Sequence, residues 1–317
     1  MTVNPGRPSG VAIGIDLGGT KCAGALVQFP DGNVLSSQVQ PTHAERGGVA
    51  LLADVKALAR SLERDADRAK LAPAAVGIGV AELVGRDGRV QSAATIRWEG
   101  VDVAAELHQA TGLPATVDAD VRAAARAEAA LGAGRRYRNF LYVTVGTGIS
   151  ACLVLEGVPY EGASGMTGTF ASSRTLVPAD DGRLASGPPL EQFAAGPALA
   201  SRYAAALAGF RGAAHDVLAS AAAGEPTARS IVSTAGEALG AAIGQLVNVL
   251  DPEAVVLGGG LGLAIGLYRD AIDAAMRRHI WASWRRDLPL TSAELGVHAG
   301  VVGAALGALE AARGTRR

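Results

Sequence analysis

One short stretch gathers the residue types that handle phosphate. Asp16-Leu17-Gly18-Gly19-Thr20-Lys21 closes an apolar run that begins at Val11. Two glycines permit a tight turn and leave backbone N–H groups open to a ligand. A hydroxyl and an ammonium follow, and bare N–H groups beside such side chains suit phosphate oxygens. Asp16 stands at the mouth of the turn, where a carboxylate can hold a metal ion through water. The same residues also suit a plain Gly-Gly hairpin, and the stretch alone does not choose between the two readings.

The pattern recurs about 130 residues later, where the apolar run 139–145 meets Gly146-Thr147-Gly148 and a second run, 149–155. Two copies of strand, glycine–hydroxyl turn and strand imply two similar lobes. Together such turns could grip a nucleoside triphosphate. A third turn, Gly258-Gly259-Gly260, allows a flat or bulky group to approach closely. Asp120 follows a brief strand and precedes an Ala-rich helical stretch. That is the type and place of a general base, and equally of a helix cap.

The elements around these turns read as α/β. Strands are expected at 22–29, 34–39, 75–81, 116–118, 139–145, 149–155 and 254–257. Residues 47–70 place Leu51, Leu52, Val55, Leu58 and Leu62 at helical spacing opposite charged residues, which predicts a helix lying on a sheet. Further helices are expected at 101–109, 121–131, 199–208, 226–250, 263–280 and 300–313. Pro226 suits a helix start and Asp251-Pro252 a stop. Residues 157–189 lack periodicity and read as a loop region, a common source of substrate contacts. Strand and helix in this order predict an α/β sheet.

Composition narrows the function classes. The 317 residues suit two domains, and 49% are apolar, enough for a substantial core. A net charge of −1 argues against nucleic acid and anionic membranes as partners. The first ten residues have no apolar core of a signal peptide, and the uncharged stretch 254–268 is too short to span a bilayer. Cys22 and Cys152 each sit in an apolar run, so buried thiols and a cytoplasmic location are expected. The five histidines read as surface or capping residues. Trp98, Trp281 and Trp284 read as packing residues, with a substrate-side role open for Trp98 and its neighbours Arg97 and Glu99.

From residue 11 to 312 the sequence resembles the ROK family of repressors and sugar kinases. Residues 16–21 resemble its first phosphate motif and residues 143–148 its second. Gly162-Ala163-Ser164-Gly165 is similar to the loop that follows. Leu190-Glu191, Gly196-Pro197-Ala198-Leu199, Leu250-Asp251-Pro252-Glu253 and Leu257-Gly258-Gly259-Gly260 are similar to later motifs. The resemblance implies an actin-like, hexokinase-like (ribonuclease H-like) α/β fold of two lobes with duplicated mixed sheets. The lobes are expected as 1–118 plus 302–317 and 119–301, with the active site in the cleft. It implies ATP and Mg2+ as cofactors, a magnesium site near Asp16, and a homodimer. Nucleotide contacts are implied for Asp16, Gly18, Gly19, Thr20, Lys21, Gly146, Thr147, Gly148, Gly258, Gly259 and Gly260. The family's base falls on Asp120. Acceptor contacts are implied for Ala119, Asp120, Gly162, Ser164, Thr169, Ser172 and Glu191.

The departures from the family spare the end that holds the reactive hydroxyl, with Asp120, and fall on the sides of the ring away from it. Its sugar kinases place Asn before the base, where this chain has Ala119. Their Glu and His in the following loop correspond here to Thr169 and Ser172, and the Cys-rich zinc segment to residues 182–189 without Cys or His. No structural zinc is expected, since a tetrahedral site missing most ligands is useless. Sites that hydrogen-bond hydroxyls discriminate strongly. The expected acceptor is therefore a modified sugar, aminosugar or C7 cyclitol of specialised biosynthesis, phosphorylated at its exocyclic primary hydroxyl (6- or 7-position). An ordinary glucokinase and a non-catalytic sugar sensor remain open alternatives. A transcriptional repressor of the family needs a helix-turn-helix domain, for which the ten residues before Val11 leave no room.

Overall fold

The computed structural model describes residues 8–98, 100–178 and 180–314. Glu99 lies outside them. In chain order the first elements are β1 (Gly10–Leu17), β2 (Lys21–Phe29), β3 (Asn33–Pro41), α1 (Gly48–Arg68) and β4 (Pro73–Val80). Then come α2 (Val103–Thr111), β5 (Ala115–Ala119), α3 (Asp120–Leu131), β6 (Phe140–Val145), β7 (Ile149–Leu155) and β8 (Val158–Pro159). Next are β9 (Arg174–Pro178), β10 (Leu184–Pro189), α4 (Glu191–Ala194), α5 (Gly196–Ala206) and α6 (Ala214–Ala222). The chain ends with α7 (Pro226–Leu250), β11 (Ala254–Gly258), α8 (Leu267–His279), β12 (Leu290–Ser292) and α9 (Ala299–Ala312).

Two compact units form. The first comprises residues 1–138, 154–167 and 297–317; the second comprises 139–153 and 168–296. The first thus includes 119–138, 154–167 and 297–301, which the sequence places in the larger lobe. The physical reason is the close packing of α3 on α9, where a Cβ at Gly303 would land on the Ala123 carbonyl.

The first unit is built on the sheet β3-β2-β1-β4-β5. β1 pairs antiparallel with β2 and parallel with β4, which pairs parallel with β5. Side chains of a strand alternate between faces. Gly14 backs onto Val301 of α9, whereas Gly24, the partner of Ile15, backs onto Leu58 and Leu62 of α1. The two helices therefore cover opposite faces. This is why β1 reads as a continuous apolar run, while the edge strand β3 alternates between exposed and half-buried residues.

In the second sheet, β12-β11-β6-β7-β8, the design repeats: strand, glycine turn and strand, with β11 parallel to β6. Its core gathers Val143, Val145, Leu257, Leu239, Ile243, Tyr268 and Ile272. Helix α7 is long and apolar enough to cross a membrane by length and composition, but half of that window is buried inside the protein. Ala235, Leu239 and Ile243 belong to the apolar core, which makes α7 a core helix.

Several expectations are corrected. Residues 157–189 contain the antiparallel pair β9–β10. α6 and β12 went unread, α5 starts at Gly196 rather than 199, and α8 starts at Leu267 rather than 263. Trp281 and Trp284 are 82% and 77% exposed rather than packed, because they occupy the surface turn after α8.

Candidate active site

In the first unit an acid stands at the C-terminal end of each parallel strand: Asp16 on β1, Glu82 after β4, and Asp118 and Asp120 at β5. The register aligns Asp16, Gly79 and Asp118 in one row across the sheet. In open α/β sheets this edge is where ligands bind. Asp120 is the first residue of α3, and Ala119 holds the cap position. Among the described residues the Asp120 carboxylate accepts one hydrogen bond, from the next backbone N–H in the helix, that of Val121, at 2.6 Å. It lies deep in the protein yet keeps part of its surface open. Burial and the nearby Asp16 carboxylate push Asp120 up to about 7, with smaller contributions from Glu82 and Asp118, against the pull of the Val121 N–H. Burial pushes Asp16 up to about 6.

The turn after β1 is braced from below. The Gly18 N–H donates to the Lys21 carbonyl at 2.9 Å, and buried Thr42 donates its hydroxyl to the Gly18 carbonyl at 2.7 Å. The Thr20 and Lys21 side chains are left exposed. Gly19 rests against Thr95, so a Cβ at Gly19 would collide with its methyl group. Asp16 has no ion-pair partner among the described residues, and it packs on Gly300 in the first turn of α9, whose free N–H groups favour negative charge. A carboxylate short of a cation fits magnesium. Among the described residues no three His, Cys, Asp or Glu side chains cluster around a metal position. A magnesium ion at Asp16 would therefore draw its other ligands from water and phosphate oxygens.

Three residues that the sequence reading missed hold this edge: Thr42, Glu82 and Arg122. Glu82 is buried and accepts from the Ser92 hydroxyl and from the backbone N–H groups of Ala94, Thr95 and Ile96, the last two at 2.6 Å. Arg122 is 3% exposed and donates to Asp118 at 2.6 Å and to the carbonyls of Gly165 and Val84 at 2.8 Å each. Arg126 donates to the other Asp118 oxygen at 2.8 Å. The one available signal was an acid at each strand end. The partners are backbone groups up to 43 residues away, which no local pattern reveals. In the 162–165 loop, Gly162 and Gly165 have φ of +73° and +87°, and Ser164 is exposed. Ala119 is 6% exposed at the end of β5.

The second unit holds the remaining candidates. Glu191 opens α4, and its carboxylate accepts the Ile149 N–H at 2.8 Å. It thereby seats against Gly148, where a Cβ would collide with it, so it lies directly on the Gly146-Thr147-Gly148 turn. The Gly258-Gly259-Gly260 turn meets the end of β6, since Leu261 and Gly262 both donate to the Val145 carbonyl. Gly146 and Gly260 face open space. Thr169 and Ser172 are exposed and closed into one turn by the bond from the Ser172 N–H to the Thr169 carbonyl, 3.0 Å. Ala171 in the same turn accepts the Glu191 N–H. Trp98 is buried and packs on Gly48. Among the histidines, His43 and His215 are exposed.

Fold and strand-end acids together define an actin-like, hexokinase-like α/β protein of two duplicated units. Residues 12–311 match the ROK family, and the chain belongs to it. It is 32% identical to the bifunctional enzyme NanE/NanK of Brucella melitensis, over 94% of this chain and 54% of that one. The chain thus spans about half the length of that relative. It is 30% identical to the kanosamine kinase of Amycolatopsis mediterranei, over 80% of this chain and 81% of that one. The crystal structure of a ROK glucokinase from Streptomyces griseus with glucose and AMPPNP superposes with a TM-score of 0.81 at 27% identity, covering 94% of this chain and 99% of that one.

Proposed function

We propose that the protein is an ATP-dependent sugar kinase that phosphorylates the exocyclic primary hydroxyl (6- or 7-position) of a modified sugar, aminosugar or C7 cyclitol. The observation that carries this reading is Asp120, held at a strand end beside Asp16 with its carboxyl raised to about 7. A general base works best when its pKa lies near the working pH. Asp120 accepts the proton of the attacking hydroxyl. Thr20, Lys21 and the Gly19 N–H hold phosphate oxygens, Gly18 closes the turn that presents them by donating its own N–H to the Lys21 carbonyl, and Asp16 holds the magnesium ion through water. Bound Mg-ATP would supply the transferable phosphoryl group and neutralise its charge. Gly146, Thr147, Gly148 and the 258–260 turn are assigned to the nucleotide.

The acceptor class rests on what the chain lacks. Ala119 offers no side-chain hydrogen bond, and Thr169 and Ser172 stand where the family's sugar kinases have Glu and His. Glu191 keeps its acceptor role, together with Gly162 and Ser164. A hydroxyl-binding site altered at three positions changes its substrate more than it weakens glucose. The kanosamine kinase relative supports an acceptor other than glucose. The AMPPNP-bound glucokinase supports ATP as donor. A homodimer, a cytoplasmic location and the absence of structural zinc belong to the same reading.

The test is ADP release with Mg-ATP and glucose, mannose, N-acetylmannosamine, aminoglucoses or C7 cyclitols, each beside an Asp120→Asn control. Turnover of a modified ring, abolished in the control, is the expected result. Rapid glucose turnover would overturn the acceptor class and make the protein a glucokinase. Silence on every ring with retained binding would make it a sensor.

A further inference from the structure

We propose that Arg122 is a positioning residue that sets acceptor specificity, because its guanidinium locks the 162–165 loop and the Val84 turn to the helix that starts with Asp120. This rests on the kinase reading above. The guanidinium is a rigid fork of five donors. Here it spends Nε on Asp118, Nη1 on the Gly165 carbonyl and Nη2 on the Val84 carbonyl. One side chain, two residues after Asp120, therefore ties three segments distant in sequence. A buried charge needs a partner, and Asp118 serves Arg122 and Arg126 together, while Glu310 stands 3.7 Å from Arg126.

The loop geometry shows what the clamp fixes. Gly165 is buried at φ +87° against the Val84 carbonyl, with no room for a Cβ. Ser164, one residue earlier, is exposed. The anchor is held and the tip is presented. A tip assigned to the acceptor thereby acquires a fixed place, and loosening it weakens acceptor binding in the ground state and the transition state alike. The groups that the Arg122 guanidinium bonds, Asp118, Gly165 and Val84, are none of those assigned to the acceptor or the nucleotide. Arg122 acts through the loop.

Arg122→Lys tests this, since an ammonium keeps the charge but cannot make the three-way fork. Steady-state kinetics are measured with each ring of the panel that turns over. Acceptor KM is expected to rise about tenfold, with kcat and the KM for ATP within about threefold, as expected when positioning of one substrate is lost. Arg126→Lys disturbs the same buried cluster and is expected to lower Tm with acceptor KM unchanged. Amide hydrogen exchange of residues 83–85 and 161–167 is expected to quicken in Arg122→Lys but not in β1. Unchanged acceptor KM in Arg122→Lys, or equal effects of the two variants on it, overturns the proposal. Failure of the wild type on every ring sinks the kinase reading instead. Exchange then decides alone whether Arg122 holds the two segments, and unchanged exchange overturns that.

Discussion

Asp120 illustrates how an acid is kept near its working range. Its unperturbed value is 3.8, and in the fold it stands at about 7. The folded state therefore prefers the protonated form, so the contribution of this group to stability is most favourable below pH 4, declines through the interval up to pH 7, and stays reduced above it. Asp120→Asn removes that cost. The variant is expected to be more stable than wild type by roughly 1–3 kcal/mol at pH 8 and equal to it at pH 4, read from urea unfolding at both pH values. In the same variant kcat is expected to fall by about 10²–10⁴, the range for removal of a general base. In the wild type, kcat/KM for the acceptor should fall about tenfold per pH unit below 7, because only the ionised base accepts a proton. Glu82 differs in kind. Each of its oxygens accepts two hydrogen bonds, three of the four from backbone N–H groups. Glu82→Gln turns an amide N–H₂ toward those donors. It is expected to lower stability by roughly 2–3 kcal/mol, the cost of buried donors left unmatched, seen as a lower urea midpoint at unchanged slope.

At the scale of elements, α9 is the strut of the first unit, and it approaches its neighbours at backbone distance. Gly14 on β1 and Gly303 on α9 both stand where a Cβ would strike a carbonyl, of Val301 and Ala123 respectively. Overpacking a tight contact costs about 1–3 kcal/mol. Gly303→Val is expected at or above the upper end, with lowered Tm, since the clash is with backbone rather than a movable side chain. The elements that were legible in the sequence share one property: a strong local period. α1 carries Leu51, Val55, Leu58 and Leu62 on one face, and β1 is apolar throughout. β10 contains Gly187, Pro188 and Pro189, which read as loop, and its pairing with β9 is not a local property. α6 has only Val217 and Ala221 buried, too few for an apolar stripe. The site divides in the same way. Asp16 and Asp120 sit in local motifs, whereas Glu82 and Arg122 are defined by distant backbone groups.

At the scale of the molecule, each unit presents a glycine turn between two strands beside a parallel strand, and the two turns differ in their bracing. The first is held by Thr42 and lies next to Asp16, whose carboxylate packs on Gly300 of α9. The second is held by Glu191, whose oxygen is spent on Ile149. The difference predicts where magnesium acts. A ligand that binds only the folded state stabilises by about 2.7 kcal/mol at a hundredfold excess over Kd. For a chain of this length that raises Tm by roughly 4 °C. AMPPNP with magnesium is expected to give this shift, and AMPPNP with EDTA a much smaller one. In Asp16→Asn the two conditions should become equal, because the amide carries no charge for the ion. The same variant should also gain stability at pH 8 without ligand, since burial already holds the Asp16 carboxyl up at about 6. A magnesium-dependent shift that survives Asp16→Asn would place the ion elsewhere and leave the Asp16 carboxylate as a partner of the α9 N-terminus alone.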